Sequence, residues 1–260
     1  MDLKIKGKFA LVCASSKGLG FSVAESLLEE GCNVLITSRN DQNLEDAKVK
    51  LLSKKYSGAV ESFKCDLSKK DDVIKLFKKA SSLSDNIDIL VNNCGGPTPG
   101  NFDEIDMNDL EIALNNNLKN TIFLTKMIIP IMKENNWGRI VNITSSSAKQ
   151  PIDNLILSNI TRSGIISFAK TISNEYARFN IMINNIMPGR IITDRIREIA
   201  NNKNGDLEEI LDSMGRDLPI MRLGKPEEFG PIVAFLCSEK ASYITGNSIQ
   251  VDGGLIKSLF

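Results

Sequence analysis

The chain has 260 residues, equal numbers of acidic and basic residues and a hydrophobic fraction of 42%, which is typical of one globular domain with a large core. Because neither charge is in excess, the composition argues against a general nucleic-acid or membrane-surface binder. The lack of histidine excludes Ser-His, Cys-His and His-metal chemistry, and five scattered cysteines without a CxxC predict free thiols and no metal site.

Strand-like and helix-like segments alternate along the whole chain. The N-terminus lacks a cleavable secretory pattern and no apolar run reaches about 18 residues, so we expect a cytoplasmic protein without a membrane-spanning helix. Short apolar runs predict strands at 9–13, 33–37, 60–64, 87–91, 139–144, 181–186 and 248–251. Helical spacing predicts helices at 19–30, 42–54, 69–83, 107–134, 154–178 and 226–237. This alternation predicts an α/β protein: a doubly wound parallel sheet between two helical layers, the three-layer Rossmann fold, in one domain over residues 1–260.

A glycine-containing loop follows the first predicted strand. Gly18 and Gly20 permit a tight turn and a close approach of the backbone to a pyrophosphate, and the next helix offers unpaired N–H groups. We therefore predict that this loop binds a dinucleotide, although glycines at such a turn also have a purely structural interpretation. The residues assigned to the nucleotide in this loop are Ala14, Ser16, Lys17, Gly18, Leu19 and Gly20.

The second predicted strand ends in a hydroxyl and a cation, at the place where an acidic residue would bind the ribose 2′-OH of NAD(H). Ser38 and Arg39 occupy these positions, and Lys17 lies in the adjacent loop. Two cations suit a 2′-phosphate, so NADP(H) is the preferred cofactor and NAD(H) is the alternative. The competing interpretation is a pair of solvated surface charges.

One polar segment, residues 190–223, breaks the alternation and contains an Asn-Asn-Lys-Asn-Gly stretch. Because loops after the carboxyl ends of parallel strands border the ligand crevice, we interpret this segment as a substrate lid. A surface insertion is the alternative. Arg190, at its start, is a candidate for binding an anionic substrate, with a surface or interface charge as the alternative.

Several motifs agree in order and spacing with those of one protein family. Residues 13–20 resemble its TGxxxGxG motif, residues 92–95 (Asn-Asn-Cys-Gly) resemble its NNAG motif, and a Pro-Gly pair followed by Thr193 resembles its nicotinamide-binding loop. Over nearly all 260 residues the chain resembles the short-chain dehydrogenase/reductase family, near its 3-oxoacyl-acyl-carrier-protein-reductase-like members. The resemblance assigns further cofactor contacts to Asp66, Leu67, Asn93, Cys94, Gly95, Pro188, Gly189, Ile191 and Thr193.

The resemblance also locates a catalytic tetrad of Asn, Ser, Tyr and Lys, of which this chain keeps only half. Asn117 and Ser145 match the first two members. The family's spacing of thirteen and then four residues leads from Ser145 to Ser158 and Arg162, where Tyr and Lys are expected. Serine is a far weaker acid than tyrosine, and arginine keeps the charge for the ribose hydroxyls but cannot shuttle a proton. The alternative is a protein without catalytic activity. In that case Ser158 and Arg162 are ordinary polar residues near the start of the helix at 154–178, where they face solvent or cap the helix.

These residues favour an NADP(H)-dependent oxidoreductase with altered proton transfer, acting on a small carbonyl or alcohol substrate for which a 3-oxoacyl-like group is one candidate. Water and Lys149 are the candidate proton donors. The alternatives are an NADP(H)-binding sensor or assembly protein without turnover, and a lyase or isomerase. The resemblance implies a homotetramer or homodimer formed through the helices at 107–134 and 154–178. Packing in the core is the alternative explanation for the apolar residues of these helices.

Overall fold

The computed structural model describes residues 1–201 and 205–259, and within these residues seven strands form one sheet. The strands are β1 (Phe9–Val12), β2 (Asn33–Ser38), β3 (Val60–Lys64), β4 (Ile89–Asn92), β5 (Gly138–Ile143), β6 (Ile181–Pro188) and β7 (Ser248–Val251). Neighbouring strands are all parallel and follow the order β3-β2-β1-β4-β5-β6-β7. This order confirms the predicted doubly wound sheet. Successive strands are added to one side of β1 up to β3 and to its other side from β4 onward. Folds of this kind have a crevice at this switch point, beyond the carboxyl ends of β1 and β4.

Helices cover both faces of the sheet. They are α1 (Gly18–Glu29), α2 (Asp41–Ser53), α3 (Lys70–Leu83), α4 (Met107–Leu114), α5 (Asn120–Glu134), α6 (Ile156–Tyr176), α7 (Asp194–Asn201), α8 (Leu207–Arg216) and α9 (Gly230–Leu236). One apolar core joins α1, α2 and α9 to the sheet, and a second joins α3, α5 and α6 to the opposite face. Burial on both faces explains the continuous apolar runs of the central strands. No helix in the described part of the chain is both long and apolar enough to span a lipid bilayer.

Two segments differ from the elements predicted for them. The expected single helix at 107–134 is divided by a π-helical turn, Asn115–Lys119, between α4 and α5. The polar segment 190–223 contains two helices, α7 and α8, and Asp206 caps α8 by accepting hydrogen bonds from the backbone N–H groups of Glu208 and Glu209. A small core of its own stabilises this segment, formed by Ala200, Leu211, Met214, Leu218 and Leu223. Residues 202–204 of the asparagine-rich stretch lie outside the described residues.

A row of side-chain hydrogen bonds, from three buried amides to one hydroxyl, connects four adjacent strands. Asn92 on β4 donates to Asn142 on β5 (2.9 Å), Asn142 donates to Asn185 on β6 (2.9 Å), and Asn185 donates to Ser248 on β7 (3.1 Å). Asn92 also donates to Thr125 of α5 (3.1 Å). Because each side chain is the register partner of the next, this amide ladder stabilises the register of β4, β5, β6 and β7.

Candidate active site

The loop between β1 and α1 packs closely against its neighbours. Gly18 has a φ of +57°, which favours glycine, and a β-carbon on Gly20 would lie 2.4 Å from the carbonyl oxygen of Ala14. That carbonyl also accepts a hydrogen bond from Asn93 Nδ2 (3.0 Å). The two predicted glycines are therefore required by the packing of this loop, and Leu19 between them packs against the core under α1. Ala14 has a φ of +44°, so an L-residue occupies a conformation that favours glycine.

Hydroxyl groups connect this loop to the end of β2. Ser15 Oγ donates to the Val12 carbonyl (2.7 Å) and accepts from the Thr37 N–H (3.0 Å), and Thr37 Oγ1 accepts from the Ala14 N–H (3.0 Å). Ser16 Oγ donates to Ser38 Oγ (3.1 Å). These bonds hold the β1–α1 loop against the carboxyl end of β2. Sequence reasoning missed Ser15 and Thr37, because single hydroxyl residues are common in such loops.

The two cations predicted for a 2′-phosphate lie at the carboxyl ends of β1 and β2, and both are exposed. Lys17 Nζ lies 3.6 Å from Asp194 Oδ2 at the start of α7, and both side chains are more than half exposed. Arg39 directly follows β2. The structure thus adds an acidic residue, Asp194, beside the predicted phosphate site, and no motif had indicated it.

The loop after β3 carries Asp66 and Leu67. Ser68 donates to Asp66 Oδ1 from its hydroxyl (2.7 Å) and its backbone N–H (3.0 Å), and the hydroxyl hydrogen bond lowers the pKa of the Asp66 carboxyl. Asn120 Nδ2 of α5 donates a hydrogen bond to the Leu67 carbonyl. This loop is therefore anchored to α5, with an ionised carboxylate at the edge of the crevice.

The loop after β4 meets α6 and the π-helical turn in one buried cluster. Arg162 Nη1 donates to Cys94 Sγ (3.4 Å) and to the Ile143 carbonyl (3.3 Å), and Nη2 lies 3.3 Å from the Cys94 carbonyl and 3.5 Å from the Gly95 carbonyl. Cys94 Sγ donates to Asn117 Oδ1 (3.1 Å). A β-carbon on Gly95 would have no neighbour within 4 Å, so open space lies directly beside this cluster.

The π-helical turn explains the position of Asn117. Its amide is 2% exposed, donates from Nδ2 to the Ala113 carbonyl (3.3 Å), and keeps Oδ1 for the Cys94 thiol. A π turn inserts an extra residue into a helix and changes the direction of the side chains it carries, and such turns are frequent at functional sites. Local sequence offered no signal for it, because Asn-Asn-Asn-Leu-Lys also fits an ordinary helix.

Ser145 and Ser147, beyond the end of β5, make hydrogen bonds that also reach Ser158 of α6. Ser147 Oγ lies 3.0 Å from Ser158 Oγ, and Ser145 Oγ accepts from the Ser147 N–H (3.1 Å). Ser158 is 7% exposed and Arg162 is 6% exposed, so neither faces solvent at the start of the helix. Asn159, by contrast, does act near the helix start, since its side chain bonds both the N–H and the carbonyl of Ile152. Ser147 was not predicted; the run of three serines at 145–147 was the available signal.

The segment after β6 packs over the other loops. Gly189 allows close packing with Asp252, because a β-carbon there would lie 2.6 Å from Asp252 Cα, and Pro188 ends β6 beside it. A β-carbon on Gly18 would lie 3.3 Å from Thr193 Cγ2, and Ile191 is buried in a bridge to Gly224. Thr193 therefore lies against the β1–α1 loop.

Helix α7 also contacts the loop after β4. Arg195 Nη2 donates to the Pro97 carbonyl (3.2 Å), and Arg190 Nη1 donates to the Met214 carbonyl (2.8 Å) and to Asp217 (3.0 Å). The charge of Arg190 is thus paired inside the 190–223 segment. Within the described residues, no group of three or more Asp, Glu, Cys or His side chains could hold a metal ion.

Sequence comparison places these features in a known family. The profile described as enoyl-(acyl carrier protein) reductase matches residues 13–256. The chain is 34% identical to the 3-oxoacyl-[acyl-carrier-protein] reductase FabG of Aquifex aeolicus, over 98% of this chain and 100% of that protein. The chain belongs to the short-chain dehydrogenase/reductase family. Another member, the NADPH-dependent reductase BacG of Bacillus subtilis, is 33% identical over 96% of this chain and 98% of its own length.

Solved structures of short-chain dehydrogenases/reductases superpose over almost the entire chain. YwfH, an NADPH-dependent reductase involved in bacilysin biosynthesis, has a TM-score of 0.94 at 32% identity, covering 98% of this chain and all of its own. The L-sorbose reductase of Gluconobacter frateurii, solved with NADPH and L-sorbose, has a TM-score of 0.93 at 30% identity, with both chains fully covered. The predicted family and fold are confirmed, and the roles assigned to individual residues remain predictions.

Proposed function

We propose that this protein is an NADP(H)-dependent oxidoreductase that transfers hydride between nicotinamide and a small carbonyl or alcohol substrate. The observation that carries the proposal is the cluster of Arg162, Asn117 and Cys94, beside the open space at Gly95. Three separate elements bring these side chains to the carboxyl edge of the sheet, next to the switch point where ligands bind in this fold. The FabG and BacG relatives are both named reductases, which supports the same reaction class.

The residues of the crevice fit a phosphorylated dinucleotide. Gly18 and Gly20 permit the tight turn between β1 and α1, and the N-terminus of α1, which has no side-chain cap, follows directly. Lys17 and Arg39 would hold a 2′-phosphate, and Asp66 lies at the adenine side by the family resemblance. The NADPH in the sorbose reductase structure and the NADPH dependence of BacG support NADP(H) over NAD(H). When bound, the coenzyme supplies or accepts the hydride.

The side chains of this site differ in what they can contribute to substrate binding and proton transfer. Ser145 and Asn117 stand at the family positions that contact the substrate oxygen and order the proton path. Arg162 keeps a positive charge near the ribose position but does not release a proton, because a guanidinium group is not deprotonated in proteins. Ser158 hydrogen-bonds Ser147 and replaces an acid that typically contributes about 10²–10⁴ in rate. We therefore infer a slow oxidoreductase whose proton comes from water or from another side chain such as Lys149.

One observation favours a second candidate function. Ser158 and Arg162 are both buried and hydrogen-bonded, so the cluster is well ordered although it lacks an acid of suitable strength. An NADP(H)-binding sensor or assembly protein without turnover would need a well-ordered binding site, but it would not need a general acid. Exposed apolar side chains on α4 and α6 (Met107, Ile112 and Ile160) support association of several copies in either case.

The double substitution Ser158→Tyr with Arg162→Lys tests the choice between these functions. If the pocket is a reductase site that lacks its acid, NADPH-dependent carbonyl reduction rises about tenfold or more, because a general acid is restored. Ser158→Phe with Arg162→Lys is the matched control, since it adds the ring without the hydroxyl and should give no gain. An unchanged rate in the tyrosine variant, with NADPH affinity and melting temperature preserved, contradicts the reductase assignment.

A further inference from the structure

Cys94 is the partly exposed residue among the five cysteines, and its thiol contacts two polar side chains of the candidate site. Its sulfur donates to Asn117 Oδ1 at 3.1 Å and accepts from Arg162 Nη1 at 3.4 Å. The other four cysteines, Cys13, Cys32, Cys65 and Cys237, are buried. Cys94 therefore differs from them both in access and in its neighbours.

Arg162 is a buried cation without a carboxylate. Its remaining hydrogen bonds go to the backbone carbonyls of Ile143, Cys94 and Gly95, and in the described part of the chain no carboxylate forms an ion pair with it. Its Nε is buried and lacks a hydrogen-bond partner among the same residues. Because an unpaired buried charge is unfavourable, a negative charge placed against the guanidinium stabilises the cluster. The sulfur of Cys94 is the contacting atom that can carry that charge.

The other cysteines lie in surroundings that suppress reactivity. Burial raises the pKa of Cys32 and of Cys65 to about 12, and it raises the pKa of Cys13 and Cys237 further. A neutral, enclosed thiol is a poor nucleophile. The contrast is therefore between four buried cysteines and one partly exposed cysteine whose sulfur contacts a cation.

We propose that Cys94 carries a reactive thiol, which hydroperoxides and soft electrophiles modify selectively. The positive charge of Arg162 increases this reactivity by stabilising negative charge on the sulfur. The thiolate sulfur attacks one oxygen of the hydroperoxide, an S–O bond forms, and the O–O bond breaks. The sulfur is oxidised by two electrons to a sulfenic acid, and the peroxide is reduced to an alkoxide or hydroxide that takes up a proton. The added oxygen lies between Arg162 and Asn117, so the modification also blocks the coenzyme site; this last consequence rests on the proposed function.

Alkylation of the native full-length protein with iodoacetamide at neutral pH, followed by peptide mass spectrometry, tests the thiol directly. Cys94 is expected to react at least about tenfold faster than any other cysteine, and Arg162→Gln is expected to slow it about tenfold. Arg190→Gln is the matched control, because Arg190 is paired with Asp217 and does not contact Cys94. Equal rates at all five cysteines, or an Arg162→Gln rate equal to that of the unchanged protein, overturn the proposal.

A second measurement needs no variant and so remains decisive if Arg162→Gln fails to fold. The rate ratio of anionic iodoacetate to neutral iodoacetamide is expected to be at least about threefold higher at Cys94 than for glutathione, because a fixed cation attracts the anionic reagent. A ratio no higher than that of glutathione contradicts the role of Arg162. Hydrogen peroxide followed by dimedone should place the adduct on Cys94, and adducts spread over the other cysteines count against the proposal.

NADPH separates this inference from the proposed function. Saturating NADPH is expected to slow alkylation of Cys94 about tenfold or more, and peroxide treatment is expected to weaken NADPH binding by a similar factor, but not in Cys94→Ala. Fast, Arg162-dependent labelling that NADPH leaves unchanged would support the reactive thiol and contradict the placement of the coenzyme.

Discussion

Ala14 carries backbone strain in the loop predicted to bind pyrophosphate. Its φ of +44° lies in the left-handed region, while its N–H and carbonyl are both held by hydrogen bonds to Thr37 and Asn93. An L-residue in this region costs about 1–2 kcal/mol, whereas glycine has no such penalty. The hydrogen bonds and the close packing of Gly20 therefore hold Ala14 in a conformation that its side chain disfavours.

We predict that Ala14→Gly stabilises the protein. The relieved strain exceeds the added flexibility of the unfolded chain by about 0.5–1 kcal/mol, so the melting temperature should rise by about 1–4 °C in thermal unfolding. Ala47→Gly, within α2, is the matched control and should lower the melting temperature, because glycine weakens a helix interior. A fall in melting temperature for Ala14→Gly would contradict the strain at this residue.

Under the proposed function, two cations, Lys17 and Arg39, select NADPH over NADH. Arg39→Ala and Lys17→Ala should each weaken NADPH binding about 10- to 100-fold, because a charge-assisted hydrogen bond contributes about 1.5–3 kcal/mol, while NADH binding stays nearly unchanged. Asp194→Asn should strengthen NADPH binding modestly, since Lys17 loses a competing partner. Fluorescence titration measures all three, with Lys78→Ala on α3 as a control. An equal loss of affinity for NADPH and for NADH would show that Lys17 and Arg39 do not bind the 2′-phosphate.

At the scale of elements, the π-helical turn Asn115–Lys119 directs Asn117 toward Cys94. Deleting Asn116 removes the extra residue, so α4 and α5 should join as one α-helix and turn Asn117 away from the cluster. We predict a folded protein that loses reductase activity about tenfold or more, as Asn117→Ala should with the turn intact. Circular dichroism and NADPH oxidation measure both effects. A deletion variant with full activity would remove Asn117 from the mechanism.

The strands and most helices could be predicted from the sequence, because each buried strand is a short apolar run between amphipathic helices. The predicted ranges 60–64 and 248–251 coincide with β3 and β7. The π-helical turn could not be predicted, because its residues also favour an α-helix. Helix α8 was hidden by the polar composition of its segment, and its stability depends on the Asp206 cap and on a small separate core.

Prediction of the candidate site was limited in a different way. Spacing located Ser158 and Arg162, but their partners Ser147 and Cys94 depend on which loops meet at the sheet edge. Long-range contacts of this kind are set by the topology of the sheet, and motifs report only the residues within one loop. Asp194 was missed for the same reason.

At the scale of the whole molecule, the amide ladder across β4, β5, β6 and β7 couples the site loops to the core. Asn142 lies in the middle, donating to Asn185 and accepting from Asn92, all three buried. Removing a buried partner leaves unsatisfied polar groups that each cost about 1–3 kcal/mol. The ladder therefore contributes to global stability as well as to strand register.

Asn142→Ala should lower the free energy of unfolding by about 2–4 kcal/mol and the melting temperature by about 5–15 °C. Asn135→Ala is the matched control, since that exposed amide donates to the exposed Asn86, and its effect should stay within about 0.5 kcal/mol. Urea unfolding measures both. A similar, small effect of the two substitutions would contradict the structural role of the ladder.

Deuteride transfer from NADPH labelled at C4 of the nicotinamide tests the central claim most directly, using a panel of small ketones and 3-oxoacyl thioesters. The proposed function predicts that deuterium from one face of the ring appears in the alcohol product, slowly for the unchanged protein and about tenfold or more faster for Ser158→Tyr with Arg162→Lys. If NADPH binds and neither protein transfers deuterium to any member of the panel, the oxidoreductase assignment is contradicted and the sensor function takes its place.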